Sequence, residues 1–66
     1  MVTVKSNAAA LLAAVVSKGI TFYEAAQMCG VSVDLFGKCA RRNKIISAKT
    51  AGRLQAIFGD AVITIE

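Results

Sequence analysis

The sequence predicts a single small domain over residues 1–66 that is mainly α-helical, with a short strand at each end. A chain of 66 residues is long enough for one domain with a modest core. With 56% hydrophobic residues, 18% charged residues and no proline, the composition is typical of a compact fold rather than a disordered tail. Apolar residues recur at helical spacing through the middle of the chain, and period-two alternation is confined to its ends.

Both ends of the chain alternate in the way that short strands do. Val2 and Val4 alternate with polar residues at the start, and a second alternation begins at Ala61. The terminal strand would have Val62, Thr64 and Glu66 on one face and Ile63 and Ile65 on the other. Neither strand alone can satisfy its backbone groups, so we expect them to pair, either within one chain or across a dimer axis. A ribbon within one chain is favoured because the small core needs its apolar cover.

The first predicted helix runs from about Asn7 to Lys18, with Ser6 or Asn7 as its N-cap and Gly19 as its end. Its stretch Ala8–Val16 is uninterruptedly apolar but is much shorter than the roughly 20 residues that a bilayer span needs. It also lacks a good cleavage site for a signal peptide. We therefore expect a cytoplasmic location and no membrane partner.

Three more helices are predicted from their start and stop signals. The capping box Thr21–Glu24 begins the second, which Gly30 ends after about two turns. Ser32 caps the third, which reaches about Arg42. After a loop over residues 43–46, a fourth helix begins at the Ser47 cap and ends at Gly59. The inward positions of these three helices would be Phe22, Ala25, Ala26 and Cys29, then Phe36, Cys39 and Ala40, then Ala51, Leu54, Ile57 and Phe58.

The composition argues against an enzyme and against a metal site. The chain has no histidine, which excludes imidazole acid–base catalysis and imidazole zinc ligands, and two cysteines are too few for an all-thiolate site. Cys29 and Cys39 lie in apolar helical patterns, so we expect free, buried thiols rather than a disulfide. No cofactor and no small-molecule substrate are expected. With only four aromatic residues, we expect an aliphatic core.

Positive charge is concentrated in one segment. The net charge is +4, and six of the eight cationic residues fall within residues 38–53, which contain no acid. They are Lys38, Arg41, Arg42, Lys44, Lys49 and Arg53. The rest of the chain is slightly acidic. A solvated surface would explain the polarity but not this segregation, which favours an acidic partner such as nucleic acid.

Several features between Ile20 and Phe58 occur together in a characteristic order. Ala26 lies where two helices would cross closely, Gly30 and Val31 form the turn, and Phe36 and Cys39 point inward from the next helix. The runs Ile46–Gly52 and Leu54–Gly59 fit the helix that follows. In these features the chain resembles the lambda-repressor-like, Xre/Cro-type helix-turn-helix regulators of bacteria and phages. Plain helical bundles share the small-residue pattern, and the charge segregation favours the regulator.

The resemblance implies a fold and a set of DNA contacts. The fold would be a helix-turn-helix bundle of about four helices, and the helix over residues 32–42 would enter the major groove. Residues near base edges would be Ser32, Val33, Asp34, Gly37, Lys38 and Arg41. Phosphates would be contacted by Tyr23, Arg42, Lys44, Lys49, Thr50 and Arg53. The glutamines that the family often has at the starts of helices two and three are absent, so their contacts do not transfer. A terminal strand in place of a fifth helix resembles Cro proteins, in which such strands contribute to dimerisation.

The function implied is sequence-specific binding of double-stranded DNA by a transcriptional regulator such as a repressor, acting as a homodimer. The alternative is a protein-interaction module on the same scaffold, such as an antirepressor or antitoxin-like partner that does not read DNA. For that alternative, Asp34 and Leu35 exposed on helix three would form the protein surface.

Overall fold

Four helices and one two-stranded antiparallel sheet are found in residues 2–66, the part of the chain that the computed structural model describes. The elements in order are β1 (Val4–Ser6), α1 (Ala8–Lys18), α2 (Phe22–Cys29), α3 (Val33–Arg41), α4 (Ala48–Phe58), a 3₁₀ turn (Asp60–Val62) and β2 (Ile63–Ile65). The prediction of a mainly helical domain with four helices and paired ends is confirmed.

The helices begin at the predicted capping residues. The side chain of each cap accepts a hydrogen bond from a backbone N–H in the first turn, which satisfies a group that the helix leaves unpaired. These caps are Asn7 for α1, Thr21 for α2, Ser32 for α3 and Ser47 for α4. The full capping box is formed at α2, where Glu24 Oε1 accepts from the Thr21 N–H at 3.1 Å. Local chemistry therefore sets the start of every helix.

The core is centred on the ring of Phe36, which is fully buried. The ring of Phe22 lies 5.6 Å away in an edge-to-face arrangement, and the ring of Phe58 lies 6.1 Å away. Edge-to-face pairs of this kind add to the effect of area burial because the positive edge of one ring meets the negative face of another. The other buried hydrophobic side chains within residues 2–66 are aliphatic or cysteine, so the core is mainly aliphatic as predicted. The three rings nevertheless join α2, α3 and α4 at Phe36.

Both cysteines are free and buried, as predicted. Burial raises the pKa of the Cys29 thiol, because a thiolate is poorly solvated inside the protein. Burial likewise raises the pKa of the Cys39 thiol, although a hydrogen bond from Ser6 and the charge of Lys44 oppose the shift. Both thiols therefore behave as small apolar side chains.

β1 and β2 form an antiparallel ribbon within the chain, which confirms the favoured pairing. Val4 lies opposite Ile65, and the backbone pairing continues past the strands through Thr3 and Glu66. The last strand is shorter than predicted. Val62 is in the 3₁₀ turn rather than in β2, because the Ile63 N–H donates to the Asp60 carbonyl before the chain extends. Its side chain is only 1% exposed. Val2 lies outside β1 and is exposed.

The loop after α3 lies along the other edge of β1. The Ser6 N–H donates to the Lys44 carbonyl at 2.8 Å, and the Ile46 N–H donates to the Val4 carbonyl at 2.9 Å. Ile45 lies opposite Lys5 in an antiparallel bridge. The predicted loop is therefore an ordered third partner of the ribbon, and it carries Lys44 on a fixed backbone.

α1 is apolar on both of its sides. Leu11 and Val15 are buried in the core, whereas the next residues, Leu12 and Val16, are exposed. Within residues 2–66, no single helix combines the length and apolar composition that crossing a membrane requires. α1 and α2 together reach that length and composition, but the chain bends by 103° between them.

The buried hydroxyl of Ser6 connects β1 to the end of α3 and to the loop. Its Oγ accepts from the Lys44 N–H at 3.0 Å and lies 3.1 Å from the carbonyl oxygens of both Cys39 and Arg42, to which it can donate. Ser6 is the one buried polar residue among those described. A buried hydroxyl is stable only with such partners.

We expect Ser6→Ala to lower the free energy of unfolding by about 1–3 kcal/mol, because the Lys44 N–H and the facing carbonyls lose their partner. Urea denaturation followed by circular dichroism measures the change. Ser17→Ala is the matched control, since Ser17 is exposed on α1, and its effect should stay within about 0.5 kcal/mol. Equal stability of the two variants would contradict the role given to Ser6.

Candidate functional site

The turn between α2 and α3 consists of Gly30, Val31 and Ser32. Gly30 has φ 72°, a left-handed conformation that favours glycine. Its N–H donates back to the Gln27 carbonyl at 3.2 Å, and the Val31 N–H donates to the Ala26 carbonyl at 3.1 Å. Both bonds return to the last turn of α2, which gives the turn a defined shape. Ser32 then caps α3, so the two helices are joined with little freedom.

α3 has one buried side and one exposed side. Phe36, Cys39 and Ala40 face the core. Five of the six predicted base-edge residues are exposed, namely Ser32, Val33, Asp34, Lys38 and Arg41. Because the inward residues recur at helical spacing, the remaining positions form one outward face. This face carries Asp34 in the first turn of the helix and two cations near its carboxyl end. The negative charge is favourable at the positive end of the helix dipole, and the positive charges are favourable at its negative end.

Gly37, the sixth predicted base-edge residue, is buried rather than exposed. The Arg41 side chain covers it: a methyl group added at Gly37 would lie 3.7 Å from Arg41 Nη2 and 3.8 Å from Cζ. These are ordinary contact distances, so an alanine fits here with little displacement. The glycine makes room for the guanidinium of Arg41 on the helix surface.

The predicted phosphate contacts fall into two groups. Arg42, Lys49, Arg53 and Tyr23 are exposed, whereas Lys44 and Thr50 are half-buried. The Tyr23 hydroxyl accepts from Gln27 Nε2 at 3.2 Å. The Thr50 hydroxyl accepts from Ser47 Oγ at 3.1 Å, so it takes part in the N-terminal cap of α4.

Arg53 forms a contact that sequence reasoning did not find. Its Nη1 donates to the Gly30 carbonyl at 2.9 Å. This bond attaches α4 directly to the α2–α3 turn. Lys49 lies one turn earlier on the same face of α4, so the bond also brings that face next to the beginning of α3. The sequence contains one indication that a cation from elsewhere would contact this turn: α2 has no basic residue of its own in its last turn.

The cations of residues 38–53 have no carboxylate partner. The one ion pair within residues 2–66 joins Lys5 Nζ to Glu66 Oε2 at 3.2 Å and lies outside this segment. No pocket is found among the described residues. The charged side chains therefore form an uncompensated surface rather than the lining of a cleft.

The protein surface predicted for the alternative function is only partly present. Asp34 is exposed, but Leu35 is half-buried and packs against the core. The core extends to the flank of α3, so Leu35 is only partly open to solvent. The prediction that Leu35 is exposed is wrong.

Comparison with known proteins finds no matching family model, no matching curated protein and no matching solved structure.

Proposed function

We propose that this protein is a sequence-specific DNA-binding transcriptional regulator of the lambda-repressor-like, Xre/Cro helix-turn-helix type, with α3 as the reading helix. The observation that carries the proposal is the segment of residues 38–53, which holds six cations, no acid and no ion pair. Phosphate neutralisation requires such a surface. Its action is occupancy of a site on cytoplasmic DNA rather than chemistry.

Each part of the surface has a role in this proposal. Lys38 and Arg41 on α3 donate to guanine acceptors, and Val33 packs against a thymine methyl group. Arg42 and Lys49, before and after the loop, contact phosphates on either side of the groove. The turn between α2 and α3 supports this role, because a short glycine turn holds a reading helix against the helix before it.

The proposal includes a dimer formed through the free edge of β2. In the observed register Ile65 turns its N–H and carbonyl away from β1, which leaves an edge that a second copy can pair with. The side chain of Ile65 is 65% exposed. A dimer places two copies of α3 on a two-fold related operator.

A protein-interaction module remains the second candidate, and one observation favours it. Leu12 and Val16 on the outward side of α1 are exposed apolar residues. A surface helix of a globular protein normally has a polar outer side. The candidate would use α1 rather than the predicted Asp34–Leu35 surface.

We expect the protein to bind mixed-sequence duplex DNA at low salt, with affinity falling steeply as salt rises, since bound cations displace counterions. The logarithm of the binding constant should fall with the logarithm of salt concentration by about 0.9 per phosphate contacted. Fluorescence anisotropy with a labelled duplex measures this slope. Lys18→Ala, on α1 outside the cationic segment, is the control and should leave the slope unchanged. Absence of binding at low salt would leave the protein-interaction module as the better candidate.

Two glycine substitutions test whether the outward face of α3 lies against DNA. Gly37 and Gly52 are both inside helices, and neither has a neighbour that excludes a methyl group. We expect Gly37→Ala and Gly52→Ala each to raise the free energy of unfolding by about 0.5–1 kcal/mol. Only Gly37→Ala should weaken duplex binding, because its methyl group lies 3.7 Å from Arg41 Nη2 and fills space that the guanidinium needs to turn toward the duplex, whereas a methyl group at Gly52 has no neighbour within 4 Å. Equal DNA affinity of the two variants would argue that this face of α3 does not contact the duplex.

Two apolar surface residues test the dimer. Ile65 in β2 and Val16 in α1 are similarly exposed, at 65% and 71%. We expect the wild type to sediment as a dimer at high micromolar concentration and Ile65→Lys to sediment as a monomer, because the charge disrupts the paired edge. Val16→Lys should remain dimeric. Loss of the dimer only in Val16→Lys would show that the interface involves α1 instead of β2. A monomeric wild type would rule out a stable strand-mediated dimer.

A further inference from the structure

We infer that Arg53 is a positioning residue, which holds the α2–α3 turn in place for α3, and not one of the phosphate contacts. The inference rests on the proposed DNA-binding function and assigns Arg53 a role different from that of Lys49 on the same face of α4. Sequence reasoning placed both residues in one class, because both are cations in the same segment.

The geometry of the guanidinium supports this assignment. Nη1 of Arg53 donates to the Gly30 carbonyl at 2.9 Å, a short distance for a charged N–H donor. The same nitrogen lies 3.9 Å from the position that a Cβ would take at Gly30. The guanidinium group therefore lies against the turn. Lys49 has no hydrogen-bond partner or ion-pair partner within residues 2–66, and its ammonium group is free to meet an anion.

The carbonyl of Gly30 needs a donor from outside α2. The amides of Gly30 and Val31 both bond back into α2, whereas the Gly30 carbonyl faces α4. The C-terminus of a helix carries partial negative charge, and a cation nearby is favourable. α2 has no basic residue in its last turn, so Arg53 of α4 supplies this cation.

The position of the turn determines where α3 begins. Ser32, the N-cap of α3, is two residues beyond Gly30, so any movement of the turn shifts the start of α3 and its first outward residues, Val33 and Asp34. Arg53 also belongs to the helix that carries Lys49. This hydrogen bond thus joins the turn before the reading helix to the face of α4 that carries Lys49. A guanidinium donates through a rigid planar fork, which makes it well suited to such a contact.

Arg53→Met and Lys49→Met form a matched pair, since each removes one cation from the same face of α4. Binding is measured by fluorescence anisotropy against two probes, a mixed-sequence duplex and a duplex that the wild type selects from a random pool. For Arg53→Met we expect affinity for the selected duplex to fall about tenfold, the lower end for a hydrogen bond to a charged group. Affinity for the mixed duplex and the salt slope should change little. For Lys49→Met both affinities should fall alike, and the slope should fall by about 0.9.

Hydrogen exchange of the free protein tests the same bond without DNA. The amides of Gly30 and Val31 should exchange several-fold faster in Arg53→Met than in the wild type, and at the wild-type rate in Lys49→Met. Unchanged exchange in Arg53→Met, or a fall in salt slope and affinity that matches Lys49→Met, overturns the inference. A wild type that binds neither duplex overturns the proposed function and the DNA role of Arg53 together. The exchange rates then show separately whether Arg53 holds the turn.

Discussion

The arrangement of the helices depends on the packing around the ring of Phe36. In a domain of this size one fully buried phenylalanine fills a large part of the core, and the rings of Phe22 and Phe58 pack against it from α2 and α4. Interiors are packed as densely as organic crystals, so a contact shared by three helices fixes their relative positions. The direction of the outward face of α3 follows, because Phe36 faces inward and helical periodicity then turns Lys38 and Arg41 toward solvent.

Apart from the pairing of the two chain ends, the parts of the fold that the sequence predicted are those set by local interactions. Each N-cap bond links residues three apart, as in the bond from the Thr21 hydroxyl to the Glu24 N–H. Such spacings are visible in any sequence. The contacts of Ser6 join residues 33 to 38 positions apart, and the contact from Arg53 to Gly30 spans 23. No periodicity reports contacts of this length. For the same reason the meeting of three phenylalanines was missed, since their individual inward positions were correct but their common position depends on how the helices pack.

The candidate site shows the same division between local and long-range effects. Exposure on α3 was predicted correctly at five of six positions because it follows from the direction of one helix. Gly37 is the exception because the side chain of Arg41, four residues away, covers it. Leu35 was assigned wrongly because the core extends to the flank of α3. Lys44 is half-buried because the loop pairs with β1, a contact between segments far apart in the chain. Helical periodicity identifies which residues of one helix face outward. It does not identify the contacts that those residues make with other parts of the chain.

The charges at the helix ends indicate where an anion would be most favourable. α2 and α3 have an acid in the first turn, Glu24 and Asp34, which suits the positive end of the helix dipole. α4 has no acid there and instead has Lys49 one residue into the helix. This placement is unfavourable in the free protein, because a cation lies beside unpaired N–H groups that already carry partial positive charge. A bound phosphate would accept from those N–H groups and from Lys49 together. Under the proposed function, a phosphate contact at the start of α4 would offset this local cost.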